Sequence, residues 1–316
     1  MKSLFAMLLS STLLTGTLLC LSSCSKDDDP VAEPNTIVKV ATDNGFTTLV
    51  SAVQTAGLEA TLKGTGPFTV FAPSNAAFGA ITVPSDPAVL RNILLYHTLG
   101  AKVEANQVNE TALTYGVLTA NTTDSVYVKR VGSNVFINGT QVATANVQAT
   151  NGVVHTLGSV LIPPSGNLVQ AAQGAVGTFD SLVVAVLYAS AAGAGSEDLA
   201  TALSGIKNAT LFAPTNQAFR DLLAAQSPAL TRISQLPKSL VVSVLKNHVL
   251  ASRFFSTDIP SGSTTLPALA GSITLNASAG GVTIKGAGGT AGNITGVNLV
   301  AKNGCVIHTI NKVLLP

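Results

Sequence analysis

This chain of 316 residues has no tryptophan, four tyrosines and three cysteines, and charged residues make up only 10% of it. So few large aromatics leave little from which to build a sugar-stacking platform. Charge is scarce and balanced, seventeen Lys and Arg against fifteen Asp and Glu, which argues against a nucleic-acid partner, since that needs a clustered basic face. Cys20 and Cys24 fall at the extreme N-terminus, so Cys305 stands alone in the body. One thiol closes no internal disulfide, and the fold must be held by core burial. Cys305 lies in the apolar run Cys305-Val306-Ile307 with no His or Asp at nucleophile spacing, and reads as a buried structural thiol. No Gly-x-Ser-x-Gly, phosphate loop or dinucleotide fingerprint occurs, and Asp124, Asp180, Asp221 and Asp258 form no pair suited to acid–base work. These absences point to a protein that is not an enzyme and uses no cofactor or metal.

What is present begins at the N-terminus. Met1-Lys2 is a short positive start, Leu4 to Leu21 an apolar run, and Ser22-Ser23 a pair of small residues before Cys24, the order of a cleaved signal peptide. Leu21-Ser22-Ser23-Cys24 resembles the lipobox of bacterial lipoproteins, which implies cleavage before Cys24, diacylglycerol on its thiol and an acylated amine. Two or three acyl chains, at about 0.8 kcal/mol per buried methylene, would hold the protein at a membrane without a spanning helix. The alternative is an uncleaved span, for which residues 4–21 are at the short end. Ser25 is not the Asp of the enterobacterial inner-membrane retention signal. The run Lys26-Asp27-Asp28-Asp29 resembles the surface-export signal of Bacteroidetes lipoproteins, with a solvated spacer as the plainer reading. The expected location is the outer membrane, exposed at the cell surface, with the periplasmic face as the alternative.

Beyond residue 35 the chain repeats itself. Thr69-Val70-Phe71-Ala72-Pro73-Ser74-Asn75-Ala76-Ala77-Phe78 returns as Thr210-Leu211-Phe212-Ala213-Pro214-Thr215-Asn216-Gln217-Ala218-Phe219, the kind of self-similarity that must be found before any fold is assigned. Upstream, Phe46, Leu49, Val50 and Val53 correspond to Phe179, Leu182, Val183 and Val186, each set the buried stripe of an amphipathic helix. Downstream, His97 pairs with His248, and Asn151-Gly152-Val153-Val154-His155 with Asn303-Gly304-Cys305-Val306-Ile307-His308, the second copy carrying one more residue before its histidine. The second copy also holds insertions around Ala189 to Ser196 and between Phe219 and His248. The spacing predicts a leader at 1–23, a tether at 24–35, a first domain at 36–163, a joint at 164–166 and a second domain at 167–316.

The Thr-Val-Phe-Ala-Pro-Ser-Asn motif, Tyr96-His97 after an apolar helix, and Asn-Gly-Val-Val-His before an apolar strand together resemble the fasciclin (FAS1) domain. The resemblance covers nearly all of the chain beyond the tether, twice. It implies an α+β fold of two tandem FAS1-type domains, each a β-wedge or sandwich of about seven strands with several packed helices. Local chemistry agrees: Thr69 to Ala72 reads as a buried strand, Pro73 and Pro214 end their strands by lacking an N–H, and Ser74 and Thr215 are placed to cap the next helix. Segments 125–130, 134–138 and 281–285 alternate between Gly or Asn turns and read as hairpin strands.

All four histidines lie inside the repeated motifs. No local Cys, Asp or second His stands at ligand spacing from any of them, and the resemblance makes His155 and His308 structural ties between helices and sheet. It also implies a role in contacts with cells, matrix proteins or glycans. Because the Tyr-His segment of some animal relatives is assigned to integrin binding, Tyr96, His97, Asn247 and His248 become candidate interaction residues, with a half-buried helix position as the plainer reading of Tyr96. The expected function is a membrane-anchored adhesion or interaction lipoprotein whose partner is an extracellular or envelope protein or glycan. A small-ligand or glycan-binding accessory protein is the alternative. The second domain, with its longer loops, is the expected contact module, since a tether from Ser25 to Asn35 reaches at most ~40 Å and keeps the first domain near the membrane.

Overall fold

The computed structural model describes residues 34–110, 113–191 and 198–316. The leader, Cys24, nearly all of the tether and most of the insertion around Ala189 to Ser196 lie outside these. Residues Asn35–Pro316 form one compact unit, and none of its described helices is long and apolar enough to cross a membrane.

The first half opens with three short helices, α1 (Ile37–Asp43), α2 (Thr47–Thr55) and α3 (Glu59–Lys63). Strand β1 (Phe68–Pro73) follows, then α4 (Asn75–Gly79), α5 (Pro87–Tyr96), β2 (Thr98–Leu99), β3 (Tyr115–Leu118), β4 (Ser125–Val131), β5 (Asn134–Ile137), β6 (Thr140–Ala149) and β7 (Gly152–Leu157). The second half repeats the order: α6 (Leu168–Gly174), α7 (Asp180–Ser190), α8 (Leu199–Gly205), β8 (Thr210–Pro214), α9 (Asn216–Ala224), α10 (Lys238–Asn247), β9 (Val249–Leu250), β10 (Gly262–Pro267), β11 (Ser272–Ser278), β12 (Gly281–Gly286), β13 (Gly292–Ala301) and β14 (Cys305–Ile310). The two seven-stranded sheets have the same topology, β2-β1-β7-β6-β5-β4-β3 and β9-β8-β14-β13-β12-β11-β10.

Each element has a local cause. β1 and β7 run parallel and are covered on both sides, so they are continuously apolar rather than alternating, with Val70, Phe71, Ala72, Val153 and Val154 all buried. β8 and β14 repeat this pairing. At the exits of β1 and β8, Ser74 Oγ accepts the Ala77 amide at 3.2 Å and Thr215 Oγ1 the Ala218 amide at 3.3 Å, capping α4 and α9 for roughly 1 kcal/mol each. That turn returns Phe78 and Phe219 to the core. Between β5 and β6, Asn138 and Gly139 both take positive φ, as a two-residue hairpin turn requires.

The helical stripes fall where the periodicity put them: Leu49 and Val53 on α2, and Leu182 and Val186 on α7, are buried against the parallel strand pairs. One alignment of the repeat needs correction. The strand registers match Phe71 to His155 and Phe212 to His308, so Gly152 occupies the place of Cys305, not of Gly304. The extra residue is absorbed before the strand by Asn303 and Gly304, both at positive φ. Cys305 is fully buried, and burial pushes its thiol pKa up.

Candidate functional site

The residues singled out from the sequence gather where the helices meet the parallel strands, and they are interior. His97 ends α5 and makes three bonds: its Nδ1 lies 2.8 Å from the Ile93 carbonyl, its Nε2 accepts the Leu161 amide at 2.8 Å, and its own carbonyl accepts the Phe71 amide at 2.8 Å. His248 repeats this against Val244, Leu314 and Phe212. An amide can only donate, so Nε2 must be the acceptor and Nδ1–H the donor, which fixes one neutral tautomer. Burial lowers the pKa of both rings to about 4. Each histidine thus ties the end of its helix to β1 or β8 through its backbone carbonyl, and to the segment that closes its domain through its ring.

Tyr96 is fully buried, its hydroxyl donating to the Ser125 carbonyl at 3.0 Å and accepting from Asn138 Nδ2 at 3.1 Å; burial pushes its phenol pKa up. Asn247, its counterpart, is also fully buried, with Oδ1 left without a partner. The assignment of Tyr96, His97, Asn247 and His248 as contact residues is therefore corrected: the folded protein gives a partner no access to them. Helical periodicity located the residue at the end of each helix without revealing that the closing segment covers it.

His155 and His308 hold the far side of each sheet. His155 Nε2 lies 2.9 Å from the Val103 carbonyl and Nδ1 accepts the Asn146 amide at 3.3 Å, while the ring stacks on Phe71. His308 Nε2 lies 2.9 Å from the Phe254 carbonyl and its ring stacks on Phe212, but its Nδ1 has no partner. Among the described residues no group of three His, Cys, Asp or Glu is placed to hold a metal ion.

Three features were not legible in the sequence. The asparagine after each cap is a brace: Asn75 binds Thr48 N and Gly45 O, and Asn216 binds Ser181 N and Gly177 O, fastening the cap to the start of α2 or α7. A pattern of two Asn in equivalent motif positions was the only available signal.

The second feature is a polar seam between the domains. Asp258, buried, accepts from Thr114 N and Oγ1, from Phe255 N and from Lys129 Nζ, the last at 2.9 Å. Arg253 lies 4.3 Å over the Tyr127 ring and donates to the Thr114 carbonyl. Tyr127, Phe255, Val300 and Val306 form an apolar cluster beneath. The carboxylate is surrounded by donors, which is the condition under which a buried charge persists.

The third feature is apolar surface on the second domain. Val184 and Leu187 on α7 are exposed, as is Leu240 on α10, whose counterpart Val89 on α5 is exposed and apolar as well. The positions on α2 that match Val184 and Leu187 are Ser51 and Gln54, exposed and polar.

The fasciclin domain model matches residues 44–163 and 188–316. Protein sll1483 of Synechocystis is 38% identical over 138 residues, 41% of this chain and 74% of that protein. Transforming growth factor-beta-induced protein ig-h3 of Sus scrofa is 37% identical over 138 residues, 39% of this chain and only 18% of its own length. Immunogenic protein MPB70 of Mycobacterium bovis is 30% identical over 149 residues, 43% of this chain and 70% of that protein. Among solved structures, the FAS1 domain pair from the insect cell adhesion molecule Fasciclin I aligns with 88% of this chain and 95% of its own, at 21% identity and a TM-score of 0.39. Two ordered matches covering most of the chain settle the family: the chain belongs to the fasciclin domain family.

Proposed function

We propose, on the premise of fasciclin membership, that this chain is a non-enzymatic interaction protein. It is held at the outer membrane through a lipidated Cys24 and meets an extracellular or envelope protein through the helical face of its second domain. The observation that carries this reading is the change from Ser51 and Gln54 on α2 to Val184 and Leu187 on α7. Contiguous exposed apolar surface marks contact sites, and Val184 and Leu187 lie one turn apart on the same exposed face of α7. The family supports the absence of catalysis, and the lipobox-like Leu21-Ser22-Ser23-Cys24 supports the anchor.

Removing residues 167–316 is a poor test, because it would also strip Asp258 from Lys129. The sharper experiment pairs Val184→Ser with Leu187→Gln, which rewrites the second helix with the first one's residues, and measures retention of whole cells on host or neighbouring-cell surfaces. Loss of retention with unchanged folding is expected; full retention would remove this face from the reading. Mass spectrometry of the mature N-terminus tests the anchor: a chain that begins at Cys24 and carries diacylglycerol on its thiol is expected, and an unmodified Cys24 would refute lipidation.

A further inference from the structure

The second domain contains a void that its insertion created. After the shared cap, α9 runs on to Ala224, whereas α4 stops at Gly79. The chain from 225 to 237 then makes a detour that the first domain lacks, tucking Ile233 and Leu236 inward through a 3₁₀ turn. Between this detour, α9, α10 and the closing segment lies a cavity of about 240 Å³, walled chiefly by Phe219, Leu222, Leu236, Leu240, Val241 and Leu315. Voids described in the first domain's core measure about 20 and 30 Å³. Gln226 is the one polar side chain in the cavity's lining, and its Nε2 donates to the Leu222 carbonyl at 2.9 Å.

Protein interiors pack without voids much larger than a water molecule, and water enters a void only where two or more polar groups receive it. This wall offers no such set. Leu240 is 40% exposed at the edge, so the space opens to solvent there and a ligand can enter end-on while keeping a polar end outside.

We propose that this cavity binds the alkyl tail of a soluble amphiphile, a single unbranched chain of about ten carbons. The size follows from scale, since an apolar cavity of about 150 Å³ takes one benzene ring and 240 Å³ takes proportionately more. The class follows from the wall, which is almost wholly aliphatic and aromatic with Gln226 its one polar side chain, and so favours a flexible apolar chain over a polar ring or a charge. This binding is separate from the adhesion reading and stands or falls without it.

The test titrates straight-chain carboxylates of six to fourteen carbons into residues 35–316 by calorimetry. Each buried methylene contributes about 0.8 kcal/mol, so affinity is expected to rise roughly fourfold per added carbon up to about ten and then level off. Leu222→Trp, which fills the space from α9, is expected to abolish the rise, while Ile81→Trp at the matching place in the first domain leaves it intact. Methyl NMR of the wild type adds a readout that needs no variant: decanoate should shift Leu222, Leu236 and Leu315 together. A flat dependence on chain length, or shifts confined to other residues, would overturn the proposal. Equal retention on neutral phosphatidylcholine vesicles in wild type and Leu222→Trp, with no decanoate binding, would also overturn it.

Discussion

The two domains share one skeleton and differ in how completely each satisfies it. In the first, His155 uses both ring nitrogens, and Asn151 fastens α1 and α3 through bonds to Ile37 N, Leu62 O and Gly64 O. In the second, His308 leaves Nδ1 unpaired, Asn247 leaves Oδ1 unpaired, and an insertion opens a cavity. Features that do not vary include the His97 and His248 ties, the Ser74 and Thr215 caps and the Asn75 and Asn216 braces. The difference teaches that the histidine tie and the cap define the domain, and that surface helices and the connection after the cap are free to diverge toward binding.

The comparison can be broken most forcefully at the seam. Asp258→Ala leaves Lys129 buried without its carboxylate, and removing one partner of such a pair costs about 3–5 kcal/mol. Chemical unfolding is expected to split from one transition into two, with the second domain melting first. A single unshifted transition would mean that the seam does not couple the domains.

Acid should act on both domains alike. His97 and His248 have folded pKa values of about 4 against an unfolded value near 6.5. The unfolded chain therefore binds more protons between these limits, so stability is full above about pH 6.5 and falls as the pH drops toward 4. Each ring accounts for roughly 3 kcal/mol of that loss. Urea midpoints between pH 7 and pH 4 check this, and a His97→Gln, His248→Gln chain should show a flatter slope whatever its absolute stability.

Next in size is the strand start. A methyl on Gly152 would land on the Phe68 carbonyl oxygen, so Gly152→Ala is expected to cost about 1–3 kcal/mol as overpacking. Cys305→Ala, at the matching place, only removes a sulfur and should cost less; equal losses would undo the one-residue correction of the repeat. Smallest are the caps, where Ser74→Ala and Thr215→Ala should each lower stability by about 1 kcal/mol, read as matched shifts in thermal midpoint.

Much of this architecture is local and therefore readable. The i, i+3, i+4, i+7 spacing of Phe46, Leu49, Val50 and Val53 indicated the helix and its inner face, with Leu49 and Val53 buried and Phe46 and Val50 half-buried, because a helix can bury only one stripe against a sheet. Pro73 and Ser74 marked a strand end and a helix start through backbone chemistry confined to a few residues. Cys305 read as buried from its apolar neighbours alone. Burial of Tyr96 and His97 was not readable, because the segment at Leu161 that covers them is remote in sequence and its arrival depends on the whole sheet closing.

The sequence by itself determined the repeat and the capped helices, which rest on periodicity and on hydrogen bonds between near neighbours, while the fold class and the structural histidines came through the family resemblance that the repeated motifs carry. Only the tertiary structure decided that Asp258 meets Thr114 and Lys129, that Gly152 stands for Cys305, and that the detour after α9 leaves a void. These depend on strand register and on packing between distant segments, and neither periodicity nor composition specifies where a chain's far ends will touch.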